Sequence, residues 1–491
     1  DLWAPRHLGA LLEVLDRRPD AVLASAGPPA RLCAVAHRAV GARWVERDEL
    51  EADELELLLL ARLRPHGAFA DTGDPTSATA SVHPAQRTAA LLGSRDGGLN
   101  AFRARYRAAA PLRLRTSEGE ATDEVALYAP FRSRPAPAPG ALRVLLVGEL
   151  AYNPERIVAL ERHGCTLAGL WIPDPLGFMT VGPLPFGGIP DRTPEDWPAW
   201  RPDVIYAGLN WRAIPLTHAV LRRAEALGVP VAWHLKEAPH RALERGDWPL
   251  LTALWERADL RLLASDLERE LLETWLPGRA DPTATRVLDG DLPARHWLRA
   301  GARAAERLSD RDGEVHTVLC GRPYGMDPAW VAELAAAGGH LHVHGAPLPE
   351  ALTRAGGARV HEHPPVERPD WVRVLSAYDA GWLHPHASAN GGEARMATWD
   401  DCNLPARGPT YLAAGVPLLA DANRGHRTAV ADLVGRTGAG LLHLGPADAV
   451  ARLRSPAAAE ARERAWAVRE DWTFDAHAGW LAGELRALAG T

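Results

Sequence analysis

The sequence predicts an α/β protein in which an alternation of strands and helices occurs twice. Two stretches show it, 142–275 and 315–455, where short apolar runs end in turn residues and lead into helical segments. At 491 residues the chain is too long for a single hydrophobic core, so two or three domains are expected. The two stretches therefore indicate two Rossmann-like halves, and the residues before them indicate an additional α/β domain.

Composition and charge exclude several function classes. The chain is 47% hydrophobic and 24% charged, which is ordinary for a soluble globular protein. A net charge of −7 gives no general attraction to nucleic acid or to anionic membranes. No apolar run approaches the ~20 residues that span a bilayer, and no signal peptide opens the chain. We therefore expect a cytoplasmic protein with no nucleic-acid partner and no integral membrane segment.

The four cysteines give no sign of a metal or disulfide framework. Cys33, Cys165, Cys320 and Cys402 lie far apart and form no CxxC pair. A zinc ribbon or a disulfide scaffold would need closer, repeated spacings. A reducing compartment is consistent with this pattern.

Residues 1–138 are predicted to form the additional N-terminal α/β domain. After a first helix, a strand at 20–24 is followed by a helix at 31–40 and a strand at 43–46. The stretch 132–140, RSRPAPAPG, is typical of a semi-rigid proline linker. No catalytic signature occurs in this domain, and its role stays open.

Two Rossmann-like domains and a helical end are predicted after the linker. The first, 139–286, opens with the continuous apolar run LRVLLV at 142–147, which is typical of a central parallel strand. The turn after it, 148–150, lacks the GxGxxG fingerprint of dinucleotide binding. The second domain covers 287–458, and 459–491 is predicted to be largely helical.

The most informative stretch is 403–420, NLPARGPTYLAAGVPLLA. It predicts a short apolar helix at 411–414 that stops at Gly415, after which Pro417 opens a buried strand at 418–420. In an open α/β sheet, the loop that enters such a helix lies at the carboxyl edge of the strands, where ligands bind.

This stretch resembles the P-x-(K/R)-x-x-E-Y-L-A-A-G-x-P-V motif of GT-B glycosyltransferases, especially glycosyltransferase family 4. The matching residues are Pro405, Arg407, Tyr411, Leu412, Ala413, Ala414, Gly415 and Pro417. The resemblance extends over the chain from residue 142 to the end. It implies a GT-B architecture, in which two facing Rossmann-like domains bind the acceptor (139–286) and the nucleotide-sugar donor (287–458). It also implies that the last helices, 459–491, cross back to the first Rossmann-like domain.

Two acidic positions of the motif are changed in this chain. Thr410 stands where the family has a carboxylate that accepts hydrogen bonds from the ribose, and Cys402 stands where a second acid often touches the sugar. Threonine still accepts a hydrogen bond, but without the help of a charge. Glu393 or the pair Asp400-Asp401 are candidates to replace the sugar contact. Either the donor is held differently, or its binding is weakened.

The resemblance also implies how the donor diphosphate is bound. Arg322, in CGRPYG, matches the arginine of a family loop that contacts the diphosphate, while the lysine of that loop is absent. Arg407 precedes a helix N-terminus, where its charge and the helix dipole act on the same phosphate. In GT-B enzymes basic side chains commonly neutralise the leaving group, so we expect no metal and no cofactor. The predicted donor-binding residues are Arg322, Glu393, Asn403, Arg407 and Thr410.

His234, Lys236 and Glu237 are the predicted catalytic residues. They lie at or just beyond the end of a strand in the first Rossmann-like domain, where the family often places a histidine near the donor sugar. Lys236 is the only lysine among 55 basic residues, and a compact ammonium differs from the planar fork of arginine. Such a group could position the sugar or move the acceptor proton. The alternatives are a buried, satisfied histidine and a lysine retained by chance.

Histidines recur along three strands of the last Rossmann-like domain. In the first of these, alternate positions place the rings on one face, and HxH patterns can bind a metal. No nearby aspartate or cysteine completes a convincing set, so we expect polar lining of the nucleotide cleft or buried packing instead. The histidines are His340, His342, His344, His361, His363, His384 and His386.

The predicted function is metal-independent transfer of a sugar from a nucleotide-sugar donor to an unknown acceptor: a glycan, a small molecule or a protein. The resemblance implies retention of anomeric configuration. The changes at Cys402 and Thr410 favour an alternative, a catalytically impaired GT-B pseudo-enzyme or a carbohydrate- or nucleotide-binding partner protein. A GT-B epimerase is a third possibility.

Overall fold

The structure, a computed structural model, describes residues 2–3, 6–26, 35–40, 59–60, 62–73, 78–79, 114–117, 120–123, 127–131, 133, 136–149, 153–172, 189, 197–237, 239–345 and 348–490. The chain divides into two compact units. The first comprises residues 1–154 and 166–203, and the second comprises 155–165 and 204–491. The strand predicted at 43–46 lies outside the described residues.

The strands are β1 (Leu2–Trp3), β2 (Ala21–Ser25), β3 (Val35–His37), β4 (Ala68–Asp71), β5 (Ala78–Thr79), β6 (Leu114–Ser117), β7 (Glu120–Asp123), β8 (Leu142–Glu149), β9 (Cys165–Ile172), β10 (Val204–Leu209), β11 (Val231–Leu235), β12 (Leu260–Leu263), β13 (Thr285–Val287), β14 (Val315–Cys320), β15 (Gly339–His344), β16 (Val360–His363), β17 (Ala380–Trp382), β18 (Leu418–Asp421) and β19 (Gly440–His443).

The α-helices are α1 (His7–Arg17), α2 (Arg156–Arg162), α3 (Trp197–Trp200), α4 (Ile214–Leu227), α5 (His240–Arg245), α6 (Trp248–Arg257), α7 (Asp266–Trp275), α8 (Arg295–Arg299), α9 (Leu308–Asp312), α10 (Pro328–Ala336), α11 (Glu350–Gly356), α12 (Trp371–Leu375), α13 (Trp399–Cys402), α14 (Arg407–Ala413), α15 (Ala429–Thr437), α16 (Pro446–Leu453), α17 (Pro456–Val468) and α18 (Phe474–Ala489).

The first unit contains a small sheet in the order β3-β2-β4. Strand β2 pairs antiparallel with β3 and parallel with β4. Helix α1 packs on this sheet because Leu11, Val14 and Leu15 recur at helical spacing and meet Ala21 and Ala24. The additional α/β region therefore has a small core of its own.

The helix predicted at 31–40 is wrong where the structure describes that range. Val35–His37 is a strand, β3, whose Ala36 pairs with Ala24 of β2. Alanine-rich sequence favours a helix locally, but pairing with a distant strand decides the conformation here.

Two six-stranded sheets confirm the predicted α/β class. The first sheet includes β10, β11, β12 and β13, which pair in parallel in chain order. The second, entirely in the second unit, has the order β16-β15-β14-β17-β18-β19 with parallel neighbours throughout. The chain builds outward from β14 in one direction and then from β17 in the other. The direction of strand addition therefore reverses between the neighbouring strands β14 and β17. Such a position is a topological switch point, and open α/β sheets bind ligands beside it.

Both faces of the second sheet are covered by helices. On one face, Val331 of α10 and Val450 of α16 pack against Leu341 and Val343 of β15. On the other face, Leu412 of α14 and helices α12 and α15 cover the strands from β14 to β18. Covering on both faces is typical of parallel sheets, and it agrees with the apolar start of β18, LLA.

The stretch 403–420 forms a helix and then a strand in the predicted order, but α14 begins at Arg407, four residues before the predicted start at 411. Gly415 ends the helix with φ +69°. A Cβ atom at this position would overlap the ring of Trp466 in α17. The turn therefore needs glycine both for its left-handed backbone and for the close approach of α17.

The terminal helix α18 packs on α2 and β10, both in the second unit. The Phe474 backbone N–H donates to the Pro293 carbonyl at 2.9 Å, and the Asp475 carboxylate accepts from the Arg295 backbone N–H at 2.7 Å. Among the described helices, none has both the length and the apolar character needed to cross a membrane.

Candidate functional site

The candidate site lies at the carboxyl end of β14 and β17, beside the switch point of the second sheet. The loop after β14 carries Arg322 and Tyr324, and the chain after β17 carries His384 and His386. Helix α14 begins beside them with Arg407. All of these residues belong to the second compact unit.

Tyr411 fixes α14 to the strands. Its hydroxyl oxygen accepts a hydrogen bond from the Cys320 backbone N–H at 2.7 Å, at the last residue of β14. The ring is fully buried and lies against Gly381 of β17, where a Cβ atom would be only 2.5 Å from the Tyr411 Cδ2. Tyr411 therefore holds the first turn of α14 at the loop that follows β14.

Arg407 is the least balanced cation of the site. Its Nη2 donates to the Arg322 carbonyl at 2.9 Å, but its buried Nη1 has no hydrogen-bond partner among the described residues. Burial, and also the charge of Arg322, lower the pKa of the Arg407 guanidinium. In the part of the chain that the structure describes, no carboxylate forms an ion pair with Arg322 or Arg407. A buried, unsatisfied cationic N–H is costly unless an anion completes it.

His384 adds a neutral ring to this positive region. Burial lowers its pKa to about 3, and the charges of Arg407 and Arg322 act in the same direction. Its Nδ1 accepts a hydrogen bond from the Asn403 side-chain amide at 3.2 Å. The structure thus brings together three of the predicted donor-binding residues, Arg322, Arg407 and Asn403, around a histidine.

An aromatic surface borders the arginines. Tyr324 is 46% exposed, its ring centroid lies 5.1 Å from that of His384, and it meets Trp399 edge-on at 6.2 Å. Burial and the neighbouring Asp400 raise the pKa of Tyr324, so its hydroxyl stays protonated. An exposed ring next to cationic groups suits the stacking of a flat or apolar ligand face.

Thr410 and Cys402 occupy the two changed positions of the motif. The Thr410 hydroxyl donates to the Ala406 carbonyl at 3.3 Å, one helical turn back, so only its lone pairs remain for a ligand. Cys402 is 2% exposed and packs with Leu267 and Leu271 in an apolar cluster. Neither side chain supplies a negative charge to the site.

Glu393, a predicted donor-binding residue, pairs with a different arginine. Its carboxylate forms an exposed ion pair with Arg395 at 2.7 Å. The carboxylate that the structure buries nearby is Asp401, which pairs with His386 at 3.0 Å and caps α13 through Thr398. The bond to Asp401 raises the pKa of His386, whereas the pKa of Asp401 is lowered because its hydrogen bonds outweigh its burial.

His234 has both ring nitrogens bonded inside the core. Nε2 donates to the Leu288 carbonyl at 2.8 Å, so Nδ1 accepts from the Tyr206 hydroxyl at 2.7 Å. Burial lowers the pKa of His234 to about 3. The ring is neutral and fully buried.

Lys236 joins three segments of the second unit. Its Nζ lies 2.7 Å from Asp289, 3.2 Å from Asp291 and 2.7 Å from the Leu404 carbonyl, to which it donates. Burial alone would lower the pKa of this ammonium, but the two aspartates outweigh it and raise the pKa. The only lysine of the chain therefore ties the end of β11 to the start of the 403–420 stretch.

Glu237 is the third residue of this group. Its Oε2 accepts a hydrogen bond from the Trp399 indole N–H at 3.2 Å. Burial raises the pKa of the Glu237 carboxyl, although Trp399 and Lys236 oppose the shift. A raised pKa is a common property of a carboxyl that acts as a general acid or base.

Sequence reasoning missed Asp289 and Asp291. A signal was present, because a lone buried lysine needs an acidic partner and the D-G-D sequence follows directly on the β13 region. What the sequence could not give is the fold that brings position 289 next to position 236. Asp401 was considered only for a sugar contact, whereas the structure uses it to bind His386.

No protein-family model and no curated protein matches the chain. Among solved structures, the chain is similar to AviGT4, a glycosyltransferase involved in avilamycin A biosynthesis, at 18% identity and TM-score 0.43 over 71% of this chain and 99% of that one. It is similar to the glycosyltransferase SnogD from Streptomyces nogalater at 19% identity and TM-score 0.35, over 71% and 100%. It is also similar to a putative UDP-N-acetylglucosamine 2-epimerase from Listeria monocytogenes at 12% identity and TM-score 0.40, over 71% and 95%.

Proposed function

We propose that this protein is a nucleotide-sugar-dependent glycosyltransferase of GT-B architecture that acts without a catalytic metal. The observation that carries the proposal is the Arg407 guanidinium, whose buried Nη1 has no partner among the described residues and whose neighbour Arg322 is also unpaired there. A diphosphate offers the oxygens and the negative charge that this pair of arginines needs. Because the motif that contains Arg407 resembles that of GT-B glycosyltransferases, we take the diphosphate to be that of a nucleotide sugar.

We assign the binding of the nucleoside and of the sugar to the side chains around Arg322 and Arg407. Tyr324 offers an exposed ring on which a base or a sugar can stack. Thr410 supplies hydroxyl lone pairs to the ribose in place of the charged acceptor of the motif, and Asn403 with His384 offers neutral hydrogen-bonding groups. Donor affinity is expected to depend more on the arginines than in an enzyme that keeps the ribose carboxylate.

Within the predicted catalytic group, we assign to Glu237 the role of proton carrier and to His234 and Lys236 a positioning role. Glu237 has the raised pKa that a proton carrier needs. Lys236 is held by Asp289 and by the Leu404 carbonyl, and both nitrogens of His234 are bonded. The expected reaction transfers the sugar with retention of configuration to an acceptor whose identity stays open.

Calorimetric titration with UDP-, GDP- and dTDP-sugars tests the donor site. Removing the Arg407 guanidinium with Arg407→Ala deletes charge-assisted hydrogen bonds worth about 1.5–3 kcal/mol, so donor affinity should fall roughly 10- to 100-fold. Arg436→Ala is the matched control, because Arg436 is an exposed arginine paired with Asp266 at 3.2 Å. Donor binding that is equal in wild type and Arg407→Ala would remove the basis of the proposal.

A second candidate function is a nucleotide- or carbohydrate-binding protein that has lost transfer activity. It is favoured by Thr410 and Cys402, which leave the motif without either of its two carboxylates. Nucleotide sugars that raise the melting temperature but are neither transferred nor hydrolysed would support this candidate. Release of free UDP together with a converted sugar, in the absence of any acceptor, would point instead to an epimerase.

A further inference from the structure

Six histidines share one face of strands β14, β15 and β16. We call this group the histidine array; it consists of His316, His340, His342, His344, His361 and His363. Their rings stack across the strands, with centroids 4.4 Å apart for His316 and His340 and 4.3 Å apart for His342 and His361. None of these residues takes part in the arginine site described above.

Hydrogen bonds connect the array into two chains that each end at a carboxylate. In the first, Asp312 contacts His316 Nε2, His316 Nδ1 contacts His342 Nε2, and His342 Nδ1 contacts His363 Nε2, each at 2.9 Å. In the second, Glu314 contacts His340 Nε2, and His340 Nδ1 lies 2.9 Å from His361 Nε2.

Asp312 fixes the position of one proton in the array. An ionised carboxylate can only accept, so Asp312 accepts from the Nε2–H of His316, and the His316 Nδ1 carries a lone pair that points into the array. The His340 Nε2 contacts the Glu314 carboxylate and also, at 2.9 Å, the Arg359 Nη1, which can only donate. Carboxylates that hold one ring nitrogen, so that the other is presented to a cation, are the usual support of histidine ligands.

The donor atoms are close enough to share one ion. One ring nitrogen from each of His316, His340 and His342 lies within 4.8 Å of the others. A tetrahedral ion with metal–nitrogen distances of about 2.0–2.1 Å needs donors roughly 3.3 Å apart. The 2.9 Å pair of His316 and His342 must open slightly and His340 must close in, by up to about 1.5 Å from the 4.8 Å limit.

The charge state of the array also fits a cation. Asp312 and Glu314 provide negative charge at the array, although Glu314 also pairs with Arg359.

We infer that the histidine array is a binding site for one nitrogen-preferring divalent cation, with His316, His340 and His342 as its ligands and Asp312 and Glu314 as their supports. Imidazole donors suit Zn²⁺, Ni²⁺, Cu²⁺ and Co²⁺, whereas Mg²⁺ and Ca²⁺ need oxygen ligands. The site does not include Arg322 or Arg407, so it is compatible with metal-independent sugar transfer and stands even if that function is wrong.

The test uses the full chain without a histidine tag, after treatment with a chelator. Calorimetry with Zn²⁺, and the visible absorption of bound Co²⁺, should show one equivalent bound by the wild type and no tight binding of Mg²⁺. His316→Gln and His342→Gln should each lower Zn²⁺ affinity at least 10-fold. His218→Gln is the matched control, since His218 lies on α4 outside the array and its loss should leave affinity unchanged.

A variant that leaves all six rings in place guards against effects of misfolding. Glu314 is 40% exposed, and Glu314→Gln should keep the fold while lowering Zn²⁺ affinity roughly 10- to 100-fold through loss of ligand support. No bound Zn²⁺ in the wild type overturns the inference. Equal affinity in the wild type, His342→Gln and Glu314→Gln also overturns it, because binding would then be adventitious.

Discussion

Two cations, Lys236 next to the 403–420 stretch and Arg407 within it, differ in how the chain balances their charge. Lys236 is enclosed by Asp289, Asp291 and a backbone carbonyl. Arg407 has one bond to a carbonyl, a buried Nη1 without a partner among the described residues, and a second arginine beside it. A buried charge that the chain balances therefore stabilises the fold, whereas a buried charge that it leaves unbalanced is available to bind an anionic ligand.

The energetic reason lies in the cost of burying ions. Taking a charge out of water costs several kcal/mol, and only close, well-placed partners offset it. Lys236 has such partners within 3.2 Å. Arg407 lacks them in the part of the chain that the structure describes. Substitution of Lys236 should therefore mainly reduce the stability of the fold, whereas substitution of Arg407 should mainly reduce the affinity for an anionic ligand.

The largest effect is expected at Lys236. Lys236→Met removes the ammonium that lies within 3.2 Å of the buried Asp289 and Asp291, and breaking a buried pair in this way costs about 3–5 kcal/mol. The measurement is the urea dependence of unfolding, followed by circular dichroism. Arg436→Ala, in which an exposed pair is lost, should change stability by less than about 1 kcal/mol. A Lys236→Met protein as stable as the Arg436→Ala protein would contradict the structural role of this lysine.

A smaller loss is expected when the support of Arg407 is removed. Tyr411→Phe deletes the hydroxyl that accepts from the Cys320 backbone N–H and leaves that buried donor unsatisfied, at a cost of about 1–3 kcal/mol. Donor affinity should also fall, because α14 is no longer fixed at the loop after β14. Both quantities are measurable on one sample by thermal unfolding and calorimetry. Full stability with weakened binding, or the reverse, would separate the two roles of Tyr411.

The His386–Asp401 pair gives a pH-dependent contribution on the order of 1 kcal/mol. Asp401 raises the pKa of His386, so the stabilisation is complete below the ordinary histidine pKa of about 6.5 and is lost as pH rises through the higher folded value. The difference in melting temperature between wild type and His386→Gln should shrink from pH 6 to pH 8. A difference that stays constant over this range would show that the ring is neutral in the folded protein.

The smallest effect on stability is expected at Arg407 itself. Arg407→Met keeps the apolar stem and removes a charge that has no counter-ion among the described residues, so unfolding without ligand should change by less than about 0.5 kcal/mol. Differential scanning calorimetry of the ligand-free protein measures this. At one fixed donor concentration, the melting temperature of the wild type should rise more than that of Arg407→Met. A marked loss of stability without ligand would make Arg407 a structural residue like Lys236.

Local patterns in the sequence were enough for the α/β class, for α14 and for the turn at Gly415. These depend on contiguous residues, namely a helix stop, a glycine and an apolar strand. The resemblance to the glycosyltransferase motif, rather than local pattern, implied Arg322, Arg407 and Asn403, which the structure places around His384. The domain boundaries at 138, 286 and 458 and the roles of the site residues stay predictions.

Contacts between distant segments could not be predicted. The partners of Lys236 lie more than 50 residues away along the chain, and the pairing of β3 with β2 is equally invisible to local propensity. For the histidines, the alternation in sequence predicted that those of β15 share one face. It could not predict the register of β14 against β15, which places His316 and its partner Asp312 beside them. In each case, the deciding factor is which strands become neighbours.

The single lysine has a practical consequence for chemical labelling. Lys236 carries the only side-chain amine of the chain, and it is 9% exposed within its cluster of aspartates. Acylating reagents that modify lysine should therefore leave the folded side chains almost untouched and react at residue 236 only when this region opens. The rate of that modification, followed by mass spectrometry, would report local opening of the segment next to Leu404 without any introduced probe.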